Sequence, residues 1–112
     1  GYQKALRDYG IPYSEKLVSY MDAEEDRYSF RSGYKLTRQL LMDTEFTALY
    51  ATSDTMAIGA AGFEEAGISV PGQCSVAGFD GMDTGEFYIP SITTIRQPVE
   101  QIAKATADLL LI

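Results

Sequence analysis

Short apolar runs of strand length alternate along this chain with stretches of helical periodicity. The strand-like runs occupy residues 17–21, 46–51, 74–79 and 92–96, and the helical patterns occupy residues 1–10, 29–42, 56–66 and 98–112. Strands that alternate with helices pair in parallel through right-handed crossovers, which place the helices on the faces of the sheet. The pattern therefore predicts an α/β fold in which a parallel sheet carries helices on both faces.

The composition excludes several kinds of chemistry. The chain has no His and a single Cys, Cys74. Without His there is no Ser-His-Asp or Cys-His catalytic group and no His-ligated zinc site. Nine Lys plus Arg against sixteen Asp plus Glu give a net charge of −7, which disfavours contact with nucleic-acid phosphates and with anionic membranes. Neither a Walker loop nor a GxGxxG motif is present. We expect no metal site, no cofactor and no enzymatic activity.

The length of 112 residues fits one domain, and no apolar run approaches the roughly 18 residues needed to cross a bilayer. The chain opens in a helical pattern without an initiator Met and closes on Leu109-Leu110-Leu111-Ile112 without a cap. We therefore expect residues 1–112 to be a piece of a longer protein.

Polar side chains follow three of the predicted strands, at the edge of the sheet where ligands bind in open α/β folds. Ser53 and Asp54 follow the second run, Asp80 follows the third and Gln97 follows the fourth. An ionised carboxylate only accepts hydrogen bonds, so Asp80 suits a ligand rich in hydroxyl or N–H donors. We also select Tyr28, which follows a charged loop and immediately precedes a helix.

Each of these residues also has a structural interpretation. Ser53 and Asp54 are good helix-capping residues. Asp80 before Gly81 is suited to a turn in which its side chain binds the local backbone. Gln97 is compatible with a solvated connection. The sequence alone leaves both interpretations open.

One motif points to an enzyme. Asp83-Thr84-Gly85 matches the catalytic triplet of retroviral aspartic proteases, whose protomers are of similar length. Those proteases are nearly all β-structure, whereas this chain has at least three helical patterns. A protease therefore remains a remote alternative.

Four ordered stretches of this chain resemble segments of LacI/GalR-type transcriptional regulators. They are residues 47–60 (TALYATSDTMAIGA), 66–71 (AGISVP), 75–80 (SVAGFD) and 90–98 (PSITTIRQP). Upstream, Gly1-Tyr2 and Ala5-Leu6 resemble the family's GY-x-x-AL. The order and spacing of these segments make the resemblance specific, and it covers nearly the whole chain.

The resemblance implies most of the C-terminal lobe of a periplasmic-binding-protein-like type I fold, in which a small-molecule effector lies between two lobes. It implies that Asp80 binds effector hydroxyls, that Ser53 takes a ligand-contacting position, that Tyr28 stacks on the ligand and that Gln97 lies at the crossing between lobes. The expected effector is a sugar or a related metabolite.

The resemblance also implies partners for the whole protein. It implies a cytoplasmic homodimer without membrane contact, which binds operator DNA through an N-terminal domain that this chain lacks. A secreted sugar-binding protein of a transport system is the alternative on the same fold. Residues upstream of Gly1 would distinguish the two alternatives, because a helix-turn-helix indicates a regulator and a signal peptide indicates a transport protein.

Two consequences follow from the family's arrangement. In the family, the first strand of this lobe comes before the position of Gly1 in the sequence and lies in the sheet between the runs at residues 17–21 and 46–51. Because this chain does not include that strand, we expect both runs to have open backbone edges. The helix at residues 98–112 packs on the other lobe in the family. Its apolar stripe, which includes Val99, Ile102 and Leu109, is therefore expected to be exposed and prone to self-association.

Overall fold

The computed structural model of the chain describes residues 1–21, 29–60, 63, 66–82 and 92–112. Its helices are α1 (Tyr2–Asp8), α2 (Phe30–Asp43), α3 (Asp54–Ala60) and α4 (Val99–Leu110), with one 3₁₀ turn at Glu15–Leu17. Its strands are β1 (Ala48–Tyr50) and β2 (Ser75–Ala77). Among the described residues, no helix has the length and apolar character needed to cross a lipid bilayer.

Local hydrogen bonds explain where α2 and α3 begin. Ser29 Oγ accepts a hydrogen bond of 3.0 Å from the backbone N–H of Ser32, and Ser53 Oγ accepts one of 3.2 Å from Met56 N–H. The first N–H groups of a helix have no partner within the helix, so a hydroxyl at this position satisfies one of them. The capping role that the sequence offered for Ser53 is confirmed.

The sheet is parallel, as predicted. β1 and β2 pair with Leu49 opposite Val76 in the centre of the register. On the other side of β2, the segment at residues 92–96 runs parallel to it through bridges between Ala77 and Thr93 and between Asp80 and Arg96. The polypeptide therefore forms the predicted α/β arrangement in the order β1, β2, residues 92–96.

The core lies between the sheet and helices α2 and α3. Its buried apolar residues are Ala51, Met56, Ala57, Ala60, Phe63, Cys74 and Val76. The rings of Phe46 and Phe63 meet edge to face with their centroids 6.2 Å apart. The backbones of α2 and α3 approach so closely that a Cβ at Gly33 would overlap Met56 O and a Cβ at Gly59 would overlap Phe30 O. These two glycines set the spacing of the helices.

The predicted strand at residues 17–21 is wrong. Residue 17 ends the 3₁₀ turn, and residues 18–21 follow without strand pairing, although Val18 has extended dihedral angles. A strand exists only where a neighbour satisfies its N–H and C=O groups. In the described ranges a groove of about 760 Å³, lined by Val18, Tyr20, Leu49 and Tyr50 among others, lies where such a neighbour would pair with this run. Residues 17–21 therefore have the composition of a β-strand but, among the segments described, lack a neighbouring strand with which to pair.

Helix α4 begins within one residue of the prediction, with Pro98 as its N-cap, and buries none of its residues. Its apolar side chains are open to solvent, with Val99 68% and Leu109 74% exposed. An amphipathic helix without a covered face has little to stabilise it beyond local interactions. The predicted exposure of this stripe in the 112-residue chain is confirmed, whereas its packing on a second lobe stays a prediction.

Candidate functional site

Three backbone hydrogen bonds bring the predicted polar residues to one edge of the sheet. Ala51 N donates to Ala77 O over 2.8 Å, and Asp54 N donates to Phe79 O over 2.9 Å. Asp80 N donates to Ile95 O over 3.0 Å. The ends of β1, β2 and the segment at residues 92–96 are thereby aligned. This edge is where an open parallel sheet binds its ligands.

Asp80 lies at the end of β2 in an unusual backbone conformation. Its φ is 127°, and it is the one non-glycine residue with positive φ in the part of the chain that the structure describes. Such a conformation costs on the order of 1–3 kcal/mol and is concentrated at functional sites. The residue is half-buried at the turn. Sequence reasoning located the residue but could not foresee its strained backbone.

Gln97 is the direct partner of Asp80. Its Nε2 donates a 2.6 Å hydrogen bond to Asp80 Oδ1, and its backbone N–H donates a 3.0 Å bond to Asp80 O. Within the described ranges no donor reaches the second carboxylate oxygen of Asp80. An oriented carboxylate with one oxygen open is suited to accept a hydrogen bond from a ligand.

Asp54 occupies a different environment from Asp80. Asp54 is fully buried and its neighbour Ser53 is buried as well, whereas Asp80 is half-buried. Asp54 Oδ2 accepts a 2.7 Å hydrogen bond from Met82 N–H, and Oδ1 accepts a 2.5 Å bond from the hydroxyl of Thr94. The sequence analysis did not identify Thr94 and Met82 as partners of Asp54. They lie 40 and 28 positions away from it along the chain, and no local sequence pattern links residues at such distances.

Two sequence predictions cannot be placed on this site. Tyr28 lies outside the described residues, and so does Asp83-Thr84-Gly85. Tyr28 therefore stays a predicted ligand contact, and the protease triplet stays without a structural description. In the remaining chain, no group of three or more potential metal-ligating side chains comes together.

A comparison with family models places the whole chain in one family. The model of the periplasmic binding protein-like domain matches residues 1–112. Among curated proteins, the chain is 37% identical to the HTH-type transcriptional regulator MalR of Clostridium butyricum, over 98% of this chain and 32% of that protein. It is 35% identical to the HTH-type transcriptional repressor PurR of Photorhabdus laumondii, over 99% of this chain and 32% of that protein. The chain thus spans about a third of these relatives.

Solved structures agree with the sequence comparison. A complex of the transcriptional regulator CelR with cellobiose has a TM-score of 0.89 and 33% identity, covering 98% of this chain and 33% of that one. A LacI family transcriptional regulator from Enterococcus faecium with bound ribose has a TM-score of 0.82 and 34% identity, covering 98% of this chain and 39% of that one. The chain belongs to the periplasmic binding protein-like domain family, in the form that LacI-family transcriptional regulators use as their effector-binding domain.

Proposed function

We propose that this chain is most of the C-terminal lobe of the sensory domain of a LacI-family regulator, and that it binds a sugar or a related small metabolite at the sheet edge around Asp80. The observation that carries the proposal is the carboxylate of Asp80 near the end of β2, which Gln97 orients and whose second oxygen has no donor among the described residues. A sugar hydroxyl donates to such an oxygen and gains a charge-assisted hydrogen bond.

The other contacts follow from the same edge. Ser53 uses its Oγ as an acceptor for the cap of α3, and no described residue accepts its hydroxyl hydrogen, which can serve as a donor. Gln97 has a second amide hydrogen and a carbonyl oxygen beyond the bond to Asp80. We propose Asp80, Ser53 and Gln97 as effector contacts from the described residues, with Tyr28 as an aromatic surface for the sugar ring.

The proposed action of the whole protein is a shift between two arrangements of its lobes. An effector that touches both lobes favours the closed arrangement by its difference in affinity for the two states. In a cytoplasmic homodimer, this shift alters the affinity of the N-terminal DNA-binding domain for operator DNA. The named relatives, which are regulators, support this role over that of a transport protein and over catalysis.

A thermal-shift screen of the full-length protein tests the proposal. The screen covers pentoses, hexoses, disaccharides, sugar phosphates and nucleobases. A ligand that binds only the folded state stabilises it by about 2.7 kcal/mol at one hundred times its Kd, which raises the Tm. Asp80→Asn should abolish the shift, while Asp43→Asn, which changes an exposed carboxylate at the end of α2, should keep it. A shift that survives Asp80→Asn contradicts the proposed site.

A further inference from the structure

Asp54 is a fully buried carboxylate that joins three segments distant in sequence. It begins α3, and its backbone N–H donates to Phe79 O at the end of β2. Its two carboxylate oxygens accept from Met82 N–H and from the hydroxyl of Thr94. A buried carboxylate is stable only when its oxygens are satisfied, and these contacts provide that satisfaction within the protein.

Thr94 extends this network to the turn after Asp80. Its hydroxyl donates its hydrogen to Asp54 Oδ1, while its oxygen accepts a 3.3 Å hydrogen bond from Gly81 N–H. Asp54 therefore acts directly on the backbone of Met82 and through Thr94 on the backbone of Gly81. These are the two residues that follow Asp80.

Gly78 provides the space for the carboxylate. A Cβ at Gly78 would lie 2.5 Å from Asp54 Oδ1 and 3.1 Å from Asp54 Cα. A side chain at this position would therefore displace the acceptor that binds Thr94. The close approach of the strand end to Asp54 depends on this glycine.

We infer that Asp54 is a positioning residue, which holds the Asp80–Gly81–Met82 turn so that the carboxylate of Asp80 is presented at the sheet edge. The inference rests on the proposed function insofar as Asp80 meets the effector. Asp54 is enclosed and both of its oxygens are used by Met82 and Thr94, so its effect on the effector is transmitted through the turn. The strained φ of Asp80 needs such support, because a strained residue persists only where its surroundings hold it.

Hydrogen exchange, measured by mass spectrometry on the full-length protein without any ligand, tests the inference. Asp54→Asn keeps the shape of the side chain but replaces one acceptor oxygen by an NH₂ group. We expect exchange in peptides spanning residues 79–82 to accelerate by about tenfold or more, since the hydrogen bonds to a charged carboxylate are replaced by weaker ones to a neutral amide. Exchange in α2 should stay unchanged, and Asp43→Asn should leave both regions as they are.

A second pair of variants keeps the test decisive if Asp54→Asn does not fold. Thr94→Val removes the hydroxyl and should accelerate exchange at Gly81, while Thr94→Ser keeps the hydroxyl and should restore the wild-type rate. Unchanged exchange at residues 79–82 in Asp54→Asn or Thr94→Val overturns the inference. Equal acceleration in α2 also overturns it, because Asp54 would then support the fold in general.

The two proposals fail in different measurements. Asp80→Asn should leave the exchange of Met82 N–H slow, because its acceptor is Asp54. If Asp80→Asn leaves effector stabilisation intact while Asp54→Asn accelerates exchange, the proposed binding site is wrong and the positioning of the turn stands. If Asp80→Asn abolishes effector stabilisation while Asp54→Asn leaves exchange unchanged, the proposed binding site stands and the positioning role of Asp54 is wrong.

Discussion

The side-chain amide of Gln97 donates a 2.6 Å hydrogen bond to Oδ1 of Asp80, from the end of one strand segment to the end of its neighbour. The same two residues are joined through the backbone, where Gln97 N donates to Asp80 O. The side-chain bond fixes the rotation of the carboxylate, and the backbone bond fixes the distance between the two segments. Gln97 thereby determines which oxygen of Asp80 has no donor in the part of the chain that the structure describes.

Replacement of Gln97 should separate these two effects. Gln97→Ala removes the side-chain bond and keeps the backbone bond, so we expect a loss of unfolding free energy of about 1.5–3 kcal/mol, the range for a hydrogen bond to a charged group. Urea denaturation measures it. Gln101→Ala, at an exposed position of α4, is the control and should change stability little. Equal stability of Gln97→Ala and wild type would show that the bond contributes nothing.

The spacing of α2 and α3 should be intolerant of a single methyl group. Gly59→Ala places a Cβ against the carbonyl oxygen of Phe30, and Gly33→Ala places one against that of Met56. Backbone atoms cannot move aside as flexible side chains do, so we expect each variant to lose about 1–3 kcal/mol or more. Gly1→Ala is the control, because nothing lies within 4 Å of its added Cβ. If thermal denaturation gives Gly59→Ala the same Tm as wild type, the close packing of α2 against α3 is contradicted.

The thiol of Cys74 should be protected by the fold. Its side chain is buried in the core, and desolvation raises the pKa of the thiol above its ordinary value. The thiolate is the reactive form, so we expect slow reaction with a disulfide reagent at neutral pH in the native protein and fast reaction in urea. Rapid reaction of the native protein would contradict the burial of Cys74.

The raised pKa of Cys74 also sets a direction for the dependence of stability on pH. The folded chain favours the neutral thiol, so the unfolded chain loses this proton first as the pH rises. The stabilising contribution is complete below the ordinary pKa of a thiol and is lost as the pH rises through the folded value. Cys74→Ala should therefore lose less stability than wild type between neutral and alkaline pH in urea titrations. An identical loss in both proteins would contradict this assignment.

The isolated 112-residue chain should self-associate. Helix α4 exposes an apolar stripe, with Ile102 47% and Leu109 74% exposed, and in the described ranges β1 has a strand on one side alone. Apolar stripes and open strand edges both favour pairing with another copy. Sedimentation velocity should show association that increases with concentration.

A charge on the apolar stripe should weaken this association. Ile102→Lys introduces a charge within the stripe, and Gln101→Lys introduces the same charge beside it. We expect the first variant to reduce association and the second to leave it nearly unchanged. A monomer at high concentration in the wild-type chain would exclude both the stripe and the strand edge as sources of association.

The elements with complete local signals were predictable from the sequence. Helix α2 has its cap at Ser29 and a periodic apolar pattern, and β1 and β2 lie within the predicted strand runs at residues 46–51 and 74–79. The run at residues 17–21 has a similar composition, but it forms no strand. A helix satisfies its own backbone, whereas a strand depends on a neighbour that composition does not reveal.

The same distinction applies to the site. Asp80, Ser53 and Gln97 could be located because each follows a predicted strand, and parallel strands end at one edge. The contacts of Asp54 with Met82 and Thr94 span 28 and 40 residues. A capping residue and a buried link between segments look alike in sequence, since their partners are decided by the packing of distant elements.

A crystal structure of the full-length protein with the sugar that gives the largest thermal shift will show whether the effector contacts Asp80. We expect a carboxylate oxygen of Asp80 at about 2.5–3.0 Å from a hydroxyl oxygen of the sugar, with the Gln97 amide still bound to the other oxygen. A sugar bound away from the ends of β1 and β2, with no contact to Asp80, would contradict this expectation.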